Sequence, residues 1–381
     1  MLHAQVMYSP AARGTAPTLP AAPAAPRIHF RPVSANGFFT TLRKRVDEHF
    51  KTTGTGHTGG AFIALKAAFY LGLAALLYAL VLSGAFSEPI TLALAIAYGV
   101  ATILMGVNVG HDGAHNAVSR NAWLNKAALN VSFTLIGVDP HLWQLRHAKS
   151  HHIFPNVNGC DIDIDSNLFL RLSPNHPRRW YQRYQHIYAP FLYAIVGFQS
   201  AFVQDFQYLN KKELANLTNI THPRGFYAWF ALRKAIYVAL MFVIPMIALP
   251  FPWWHVMLGA FAANAAGSFV FVAMLIGTHF ADEAAFPEPG ADGAFEHDFA
   301  THALITSLDW HPQSRLAQLV AGGANAHAAH HLFPHMSHAH YVPVSRLIEQ
   351  TAREYGIPYN RTTFGGLIRS HFRFLRRMGA G

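Results

Sequence analysis

The chain has 381 residues, of which 52% are hydrophobic and only 13% carry a charge. Soluble domains average about 25% charged residues, so this deficit indicates an integral membrane protein and excludes a set of soluble domains. The formal net charge of +10 comes from lysines and arginines spread over the loops that flank apolar segments. That distribution favours anionic lipid headgroups over nucleic acid as the partner of the positive charge. The single cysteine, Cys160, excludes an intrachain disulfide framework and a cysteine-rich metal site.

The N-terminal segment, residues 1–45, is rich in proline and alanine. This composition buries too little apolar surface to fold, so we predict a flexible tail. Because the segment contains Arg13, Arg27 and Arg31 and no acidic residue, an amphipathic targeting role stays open as an alternative. The remainder, residues 46–381, is predicted to form one membrane domain.

Four apolar runs have the length of a membrane-spanning helix, which is about 20 residues. They cover approximately residues 61–83, 90–110, 226–249 and 256–277. A fifth, partly apolar stretch at 186–204 contains two glutamines, and we interpret it as interfacial or re-entrant. We therefore predict an all-α integral membrane fold with four transmembrane helices in two hairpins. The polar segments would lie on one side of the membrane and form a helical cap.

The lysines and arginines predict which side of the membrane the cap faces. Both polar segments between and after the hairpins, 111–225 and 279–381, contain many of them. The two short turns on the opposite face contain none. Because cytoplasmic loops are enriched in Lys and Arg, the cap is expected on the cytoplasmic side.

Histidines cluster outside the apolar runs, in the motifs HDGAH, HAKSHH and HAAHH, with one more in GTHFADE after the fourth run. Histidines three or four apart share one helical face, and neutral imidazole is a common metal ligand. A group of this size can hold more than one ion, although the spacing does not distinguish iron from zinc. The metal ligands predicted from these spacings are His111, His115, His147, His151, His152, His327, His330 and His331, whereas His279, alone at the end of a span, is either a further ligand or a capping or interfacial residue.

Further polar residues near these motifs have two possible roles. The carboxylates that follow the clusters can orient ligand histidines, or they can belong to solvated loops. Histidines after the last cluster are separated from it by Pro334, so we interpret them as supporting or surface residues. The residues concerned are Asp112, Asp161, Asp163, Asp165, Asp282, His335, His338 and His340.

Together, GHDGAHNAVS, LRHAKSHHIFPNVNGCDIDI and GGANAHAAHHLFPHMSHAHY resemble the three histidine boxes of the membrane fatty acid desaturase family. The resemblance covers roughly residues 40–381 and is greatest for the acyl-lipid and acyl-CoA branch that includes the front-end enzymes. Many of those enzymes have Gln as the first residue of the third box, where this chain has His327. The resemblance therefore leaves the double-bond position unassigned.

The resemblance implies two iron ions, with His279 as a ninth ligand. It implies a fatty acyl substrate linked to lipid, CoA or acyl carrier protein, which gains a double bond at the expense of dioxygen and two electrons. A fused cytochrome domain would be marked by HPGG, and His57-Thr58-Gly59-Gly60 is only superficially similar. The segment before it is too short and too Pro/Ala-rich for a haem domain. Electrons are thus expected from a separate donor such as ferredoxin or a b-type cytochrome.

Two alternatives remain at this point. A fatty acyl hydroxylase or acetylenase can use the same di-iron scaffold. A more distant alternative is a membrane metal transporter with a His-rich cytoplasmic loop. Transporters place polar ligands near mid-membrane, whereas the apolar runs here contain almost none except Asn264.

Overall fold

The computed structural model describes residues 28–165 and 167–380, and helices dominate them. Most of the predicted tail, residues 1–27, lies outside this part of the chain. The α-helices are α1 (Phe38–Thr53), α2 (Gly60–Leu82), α3 (Glu88–Met105), α4 (His111–Ala114), α5 (Ala122–Leu135), α6 (Pro140–Arg146), α7 (Ile162–Asp165), α8 (Gln185–Ala194), α9 (Val196–Gln199), α10 (Asp205–Tyr208), α11 (Phe226–Val238), α12 (Ile244–Ala248), α13 (Trp253–His279), α14 (Phe299–Ile305), α15 (Arg315–Ala321), α16 (His327–Leu332), α17 (Tyr341–Glu354) and α18 (Phe364–Ala380).

Shorter elements connect these helices. Single π-helical turns lie at Gly106–Gly110, His147–His151, Ser200–Gln204 and Ala239–Val243, and 3₁₀ turns at Trp180–Tyr184 and His338–His340. Two short strands, β1 (Asp309–Trp310) and β2 (Arg361–Thr362), pair in parallel. This ladder joins the segment before the third histidine box to the start of the C-terminal helix.

Four helices of the described chain are long and apolar enough to cross a membrane, and they coincide with the four predicted spans. The first is Gly60–Leu82, the second Glu88–Ala114, the third Phe226–Ala248 and the fourth Trp253–His279. The second and fourth spans extend beyond the apolar runs, so that His111 and His279 lie within their last turns. Large side chains such as Leu65 and Phe69 are exposed, as expected on a lipid-facing surface.

The partly apolar stretch at 186–204 belongs to two helical segments, Trp180–Ala194 and Val196–Tyr208, that meet at an angle of 67°. This geometry fits a re-entrant loop and also fits a broken fifth span. The interfacial or re-entrant interpretation therefore stays a prediction.

Small residues allow the second and fourth spans to pack closely. A Cβ atom on Gly99 would lie 2.1 Å from the carbonyl oxygen of Ala263, and one on Gly267 would lie 2.9 Å from the carbonyl oxygen of Gly99. Close backbone approach of this kind is a common basis of helix association in membranes. It holds together the two spans that end at His111 and His279.

The helix α1 begins at Phe38, inside the range that the sequence assigned to the tail. Its buried residues recur every four positions, at Phe38, Leu42, Val46 and Phe50. This stripe packs against α17, whose buried face includes Ile348. The proline- and alanine-rich composition of the preceding residues obscured this amphipathic pattern, so the folded part starts before residue 46.

Candidate metal centre

The first histidine box continues the second span. The π turn at Gly106–Gly110 leads directly into α4, which contains His111. A Cβ atom on Gly110 would lie 2.7 Å from Cβ of Ser132, and one on Gly113 would lie 2.8 Å from the carbonyl oxygen of Asn125. Both glycines therefore let α5 pack tightly behind the box.

The second box lies on a π turn rather than on an ideal α-helix. The backbone N–H of His152 donates to the carbonyl of His147 at 3.0 Å, which is an i→i+5 hydrogen bond. This extra residue in the turn brings His152 back over His147, and their Nε2 atoms are 3.0 Å apart. An ideal helix would displace His152 by about 100° from His151, so the sequence spacing alone gave the wrong direction for this ring.

The third box forms α16, in which every residue is buried. The Asp309 carboxylate accepts a hydrogen bond from the backbone N–H of Ala328 at 2.9 Å and thereby caps the helix. The Tyr359 hydroxyl donates to the same carboxylate at 2.6 Å. Burial raises the pKa of Asp309 to about 7, with both hydrogen bonds opposing the rise.

The structure brings together a first group of four histidines, which contains members of all three boxes. The Nε2 atom of His147 lies 3.2 Å from that of His111 and 3.4 Å from that of His330. One ring nitrogen of each member lies within 4.8 Å of the others. We call His111, His115, His147 and His330 group one.

A second group combines one residue of the second box, two of the third, and the histidine at the end of the fourth span. The Nε2 atom of His279 lies 2.8 Å from that of His327 and 3.0 Å from that of His331. The Nε2 atoms of His327 and His331 are 3.2 Å apart. We call His151, His279, His327 and His331 group two.

The ninth histidine, His152, lies between the two groups. Its ring is 4.4 Å from the rings of both His330 and His331, measured between centroids. All nine predicted residues thus form one cluster, which we call the histidine centre. The three spacings that predicted this centre, HxxxH, HxxxHH and HxxHH, come from segments far apart in the chain.

The donor set of the histidine centre fits metal ions. The Nε2 atoms of His279, His327 and His331 face one another at 2.8–3.2 Å, although no arrangement of ring protons satisfies all three contacts. Imidazoles at about 2.1 Å from one ion lie roughly 3.0–3.4 Å apart, which matches these distances. Several buried ring nitrogens also have no hydrogen-bond partner: His115 Nε2, His152 Nδ1, His327 Nδ1 and His331 Nδ1.

Burial keeps these rings in the form that binds metals. Burial is the main reason why the pKa values of six histidines of the centre lie well below the ordinary value of about 6.5. These are His115, His147, His152, His327, His330 and His331. Their imidazoles are therefore neutral at physiological pH, with a lone pair free for an ion.

Hydrogen bonds orient two members of group two. His279 Nδ1 donates to the carbonyl oxygen of Thr306 at 2.8 Å, and His151 Nδ1 lies 3.0 Å from the Asp161 carboxylate. Each bond leaves Nε2 directed into the centre. Burial lowers the pKa of His151, but Asp161 more than offsets that effect and raises this pKa to about 9.

Among the carboxylates considered from sequence, Asp161 contacts a predicted ligand directly. Asp112 accepts instead from His338 Nδ1 at 3.0 Å, and Asp165 from His176 at 3.0 Å. Asp282 forms ion pairs with Arg373 and Arg377. The other carboxylate near His151, Asp163, lies 3.8 Å from its Nδ1.

Sequence reasoning did not identify two further neighbours of the centre. The indole of Trp143 stacks on the His147 ring at 4.2 Å. The side-chain amide of Asn156 donates a hydrogen bond to the carbonyl oxygen of Ala285 at 2.9 Å, and its backbone N–H donates to the Asp161 carboxylate. Asn156 adopts a positive φ of 61°, and the sequence NVNGC around it is a turn signal that pointed to this position.

Comparisons with known proteins agree with the motifs. The family model described as Fatty acid desaturase matches residues 87–363. The chain is 29% identical to an acyl-lipid (8-3)-desaturase of Physcomitrium patens, over 90% of this chain and 72% of that protein. It is 27% identical to the sn-1 linoleoyl-lipid 6-desaturases of Arthrospira platensis and Synechocystis. Those matches cover 90% and 93% of this chain and 92% and 98% of the two proteins.

The family match covers more than half of the chain and includes the second, third and fourth candidate spans and all three histidine boxes. It confirms the family that the box sequences predicted. On these grounds the chain belongs to the fatty acid desaturase family.

Proposed function

We propose that this desaturase introduces a double bond into an acyl chain carried by a membrane lipid, with the histidine centre holding two iron ions. The reaction consumes one dioxygen, two electrons and two protons, converts –CH₂–CH₂– into –CH=CH–, and yields two waters. The observation that carries this proposal is the meeting of nine imidazoles from four separate segments, seven of them buried and two, His111 and His147, half-buried. Group one and group two each offer four nitrogens, and His152 lies between them.

Iron, when bound, supplies with dioxygen an oxidant strong enough for an unactivated C–H bond, which no side chain can attack alone. The chain's own residues hold and orient that site. Asp161 and the Thr306 carbonyl direct their histidines inward, and burial of the rings excludes bulk water. The placement of the acyl chain relative to the centre then selects the carbon that reacts.

The membrane location supports a lipid-linked substrate. His111 and His279 lie in the last turns of two candidate spans, so the histidine centre lies beside the bilayer surface. An acyl chain can reach this position from the bilayer without leaving an apolar environment. The names of the three relatives all specify a lipid-linked acyl substrate, which favours the same class here over acyl-CoA.

The remaining parts of the proposal concern topology and electrons. Convergence of the boxes requires the carboxyl ends of the second and fourth spans to face the same side, which supports two hairpins. The Lys and Arg distribution supports a cytoplasmic position for that side. A separate donor such as ferredoxin or a b-type cytochrome would then deliver electrons from the cytoplasm.

The comparisons favour desaturation over hydroxylation or acetylenation, because the relatives carry desaturase names. A metal transporter is also disfavoured. Transporters bind their cargo near mid-membrane, whereas both four-histidine groups lie at the ends of the spans.

The test is to express the chain with a reductase and ferredoxin and to analyse total fatty acids by mass spectrometry. We expect a new double bond in lipid-linked acyl chains, and a hydroxylated product would contradict the proposal. His→Ala at His111, His151 or His330 should abolish the product while the protein still inserts. The control His186→Ala, outside the histidine centre, should retain activity. Retained desaturation in two of the three variants would refute the assignment.

A further inference from the structure

We propose that Lys66 of the first span is a positioning residue for the histidine centre, acting through a relay of Lys66, His338 and Asp112. Lys66 lies in α2, whereas Asp112 follows His111 in the first box and His338 follows the third box. The relay thus links three distant segments immediately behind group one. This inference rests on the proposed iron-binding role of the histidines.

The ammonium group of Lys66 has a full set of hydrogen-bond acceptors, although the residue lies in an apolar span. Its side chain is only 6% exposed. The ammonium donates to the side-chain oxygen of Asn108, to the carbonyl oxygen of Leu319 at 2.8 Å, and to His338 Nε2 at 3.1 Å. An ammonium has three protons, and each one finds an acceptor here. This lysine therefore does not extend to the headgroups, as lysines near span ends commonly do.

The hydrogen bonds fix the tautomer of His338. Its Nδ1 lies 3.0 Å from the Asp112 carboxylate, which can only accept, so Nδ1 carries the proton. Nε2 is then an acceptor and receives the bond from Lys66. The result is a buried chain of ammonium, neutral imidazole and carboxylate, in which opposite charges flank a neutral ring. The His338 side chain is completely buried, so water does not compete for either bond.

The same relay fixes the backbone around group one. The second Asp112 oxygen accepts from the Ser337 hydroxyl at 2.6 Å. Asn108, which also accepts from Lys66, lies on the π turn that leads to His111 and donates to the carbonyl of Val320 at 3.0 Å. These bonds hold the first box, which supplies His111 and His115, against the segments on either side of the third box, which supplies His330. Lys66 connects this network to the first span through its hydrogen bonds to Asn108 and His338.

A buried lysine in a membrane span is costly, and such residues usually have a functional role. The chain offers a matched comparison in Lys234 of the third span. Lys234 also has three acceptors, namely the carbonyls of Gly137 and Ala201 and the carboxylate of Asp205, at 2.5–2.7 Å. None of these acceptors belongs to a histidine of the centre or to the relay. Removing either lysine breaks three hydrogen bonds, but only Lys66 connects to the first box.

The experiment compares Lys66→Met with Lys234→Met in full-length protein loaded with ⁵⁷Fe. Iron per chain, the Mössbauer spectrum and turnover are measured together. For Lys66→Met we expect a changed or missing signal from one of two irons, iron per chain falling towards one, and a 10- to 100-fold loss of turnover. Lys234→Met should keep two irons with unchanged spectra, even where its thermal stability is lower.

A second pair of variants keeps the test decisive if Lys66→Met does not accumulate. His338→Leu removes both bonds of the relay and should give the same one-iron change. His338→Asn retains a donor towards Asp112 and should restore part of the spectrum. An unchanged spectrum in Lys66→Met or His338→Leu, or equal effects of the two lysine variants, would overturn the inference. Wild-type protein without iron would instead refute the proposed function on which it rests.

Discussion

The side chains behind the imidazoles decide how well the histidine centre can hold an ion. Asp161 shows this most directly, because its carboxylate is fully buried and accepts three hydrogen bonds. One comes from His151, and the others come from the backbone N–H groups of Asn156 and Asp163 at 2.9 and 3.0 Å. A fixed carboxylate of this kind sets the orientation and basicity of the ligand that it contacts.

We expect Asp161→Asn to lower iron affinity 10- to 100-fold, because an amide nitrogen would replace an oxygen that now accepts hydrogen bonds. Iron per purified chain, measured by elemental analysis across a chelator series, checks this expectation. Asp282→Asn is the control, since Asp282 contacts arginines rather than histidine. Equal iron retention in both variants would show that Asp161 does not orient a ligand.

His302 is a buried histidine outside the centre that makes stability depend on pH. Its Nε2 donates to the Pro155 carbonyl at 2.8 Å, and its Nδ1 lies 2.9 Å from His297 Nε2. Burial lowers the pKa of His302 to about 4. An unfolded chain, with a pKa of about 6.5, therefore takes up a proton that the folded chain refuses between pH 6.5 and 4.

From this sign, His302 contributes stability that is complete above pH 6.5 and is lost as pH falls towards 4. The loss is roughly 1.4 kcal/mol per pH unit within that interval. His302→Gln cannot titrate, so its stability deficit relative to wild type should shrink between pH 7 and pH 5. Unfolding temperatures of both proteins in detergent provide the measurement. A deficit that stays constant with pH would contradict the assignment.

Among the helices, the contact between the second and fourth spans has the greatest consequence for the site. Gly99 and Gly267 allow the two backbones to touch, and the last turns of these spans contain His111 and His279. The π turns at Gly106–Gly110 and His147–His151 then adjust the direction of the first two boxes. Helix packing thus sets the distance between the two groups, and the irregular turns set the orientation of the rings.

We expect Gly99→Leu to separate these spans, because its side chain would overlap the Ala263 backbone. Both iron content and desaturation should fall at least 10-fold. Gly259→Leu is the matched control in the fourth span, where no atom lies within 4 Å of an added Cβ. Normal iron content in Gly99→Leu would mean that the centre does not depend on this contact.

The whole molecule depends on the sidedness of its spans. Because all nine imidazoles meet, we expect the segments between the second and third spans and after the fourth span to lie on one side of the membrane. The bent pair Trp180–Ala194 and Val196–Tyr208 is then expected to enter the membrane and return without crossing it. Exposed positions on both sides can report this arrangement.

Single cysteines in a Cys160→Ser background test the topology with a membrane-impermeant maleimide. Ala85→Cys, in the turn between the first two spans, should react in intact cells. Arg120→Cys and Arg376→Cys should react only after permeabilisation, because we place both on the cytoplasmic side. All three residues are exposed. Labelling of Arg376→Cys from outside would indicate that the bent pair crosses the membrane.

Local patterns in the sequence were sufficient for the four long apolar helices and for eight of the nine members of the histidine centre, whereas His279 was added by the resemblance to the family. Apolar length predicts a membrane-spanning helix, and HxxxH, HxxxHH and HxxHH predict metal ligands, because both signals depend on residues close together in the chain. The helix α1 was missed although its apolar residues also follow a local period. The composition of the tail before it outweighed that signal.

Only the tertiary structure decided how the nine histidines divide into two groups and which side chains stand behind them. His330 and His331 are adjacent in sequence but belong to different groups, and His152 turns back through a π turn. A lysine near the start of a span commonly extends to the headgroups, yet Lys66 contacts His338, which is 272 residues away. Contacts of this kind arise from the packing of distant segments, and no spacing within a single helix encodes them.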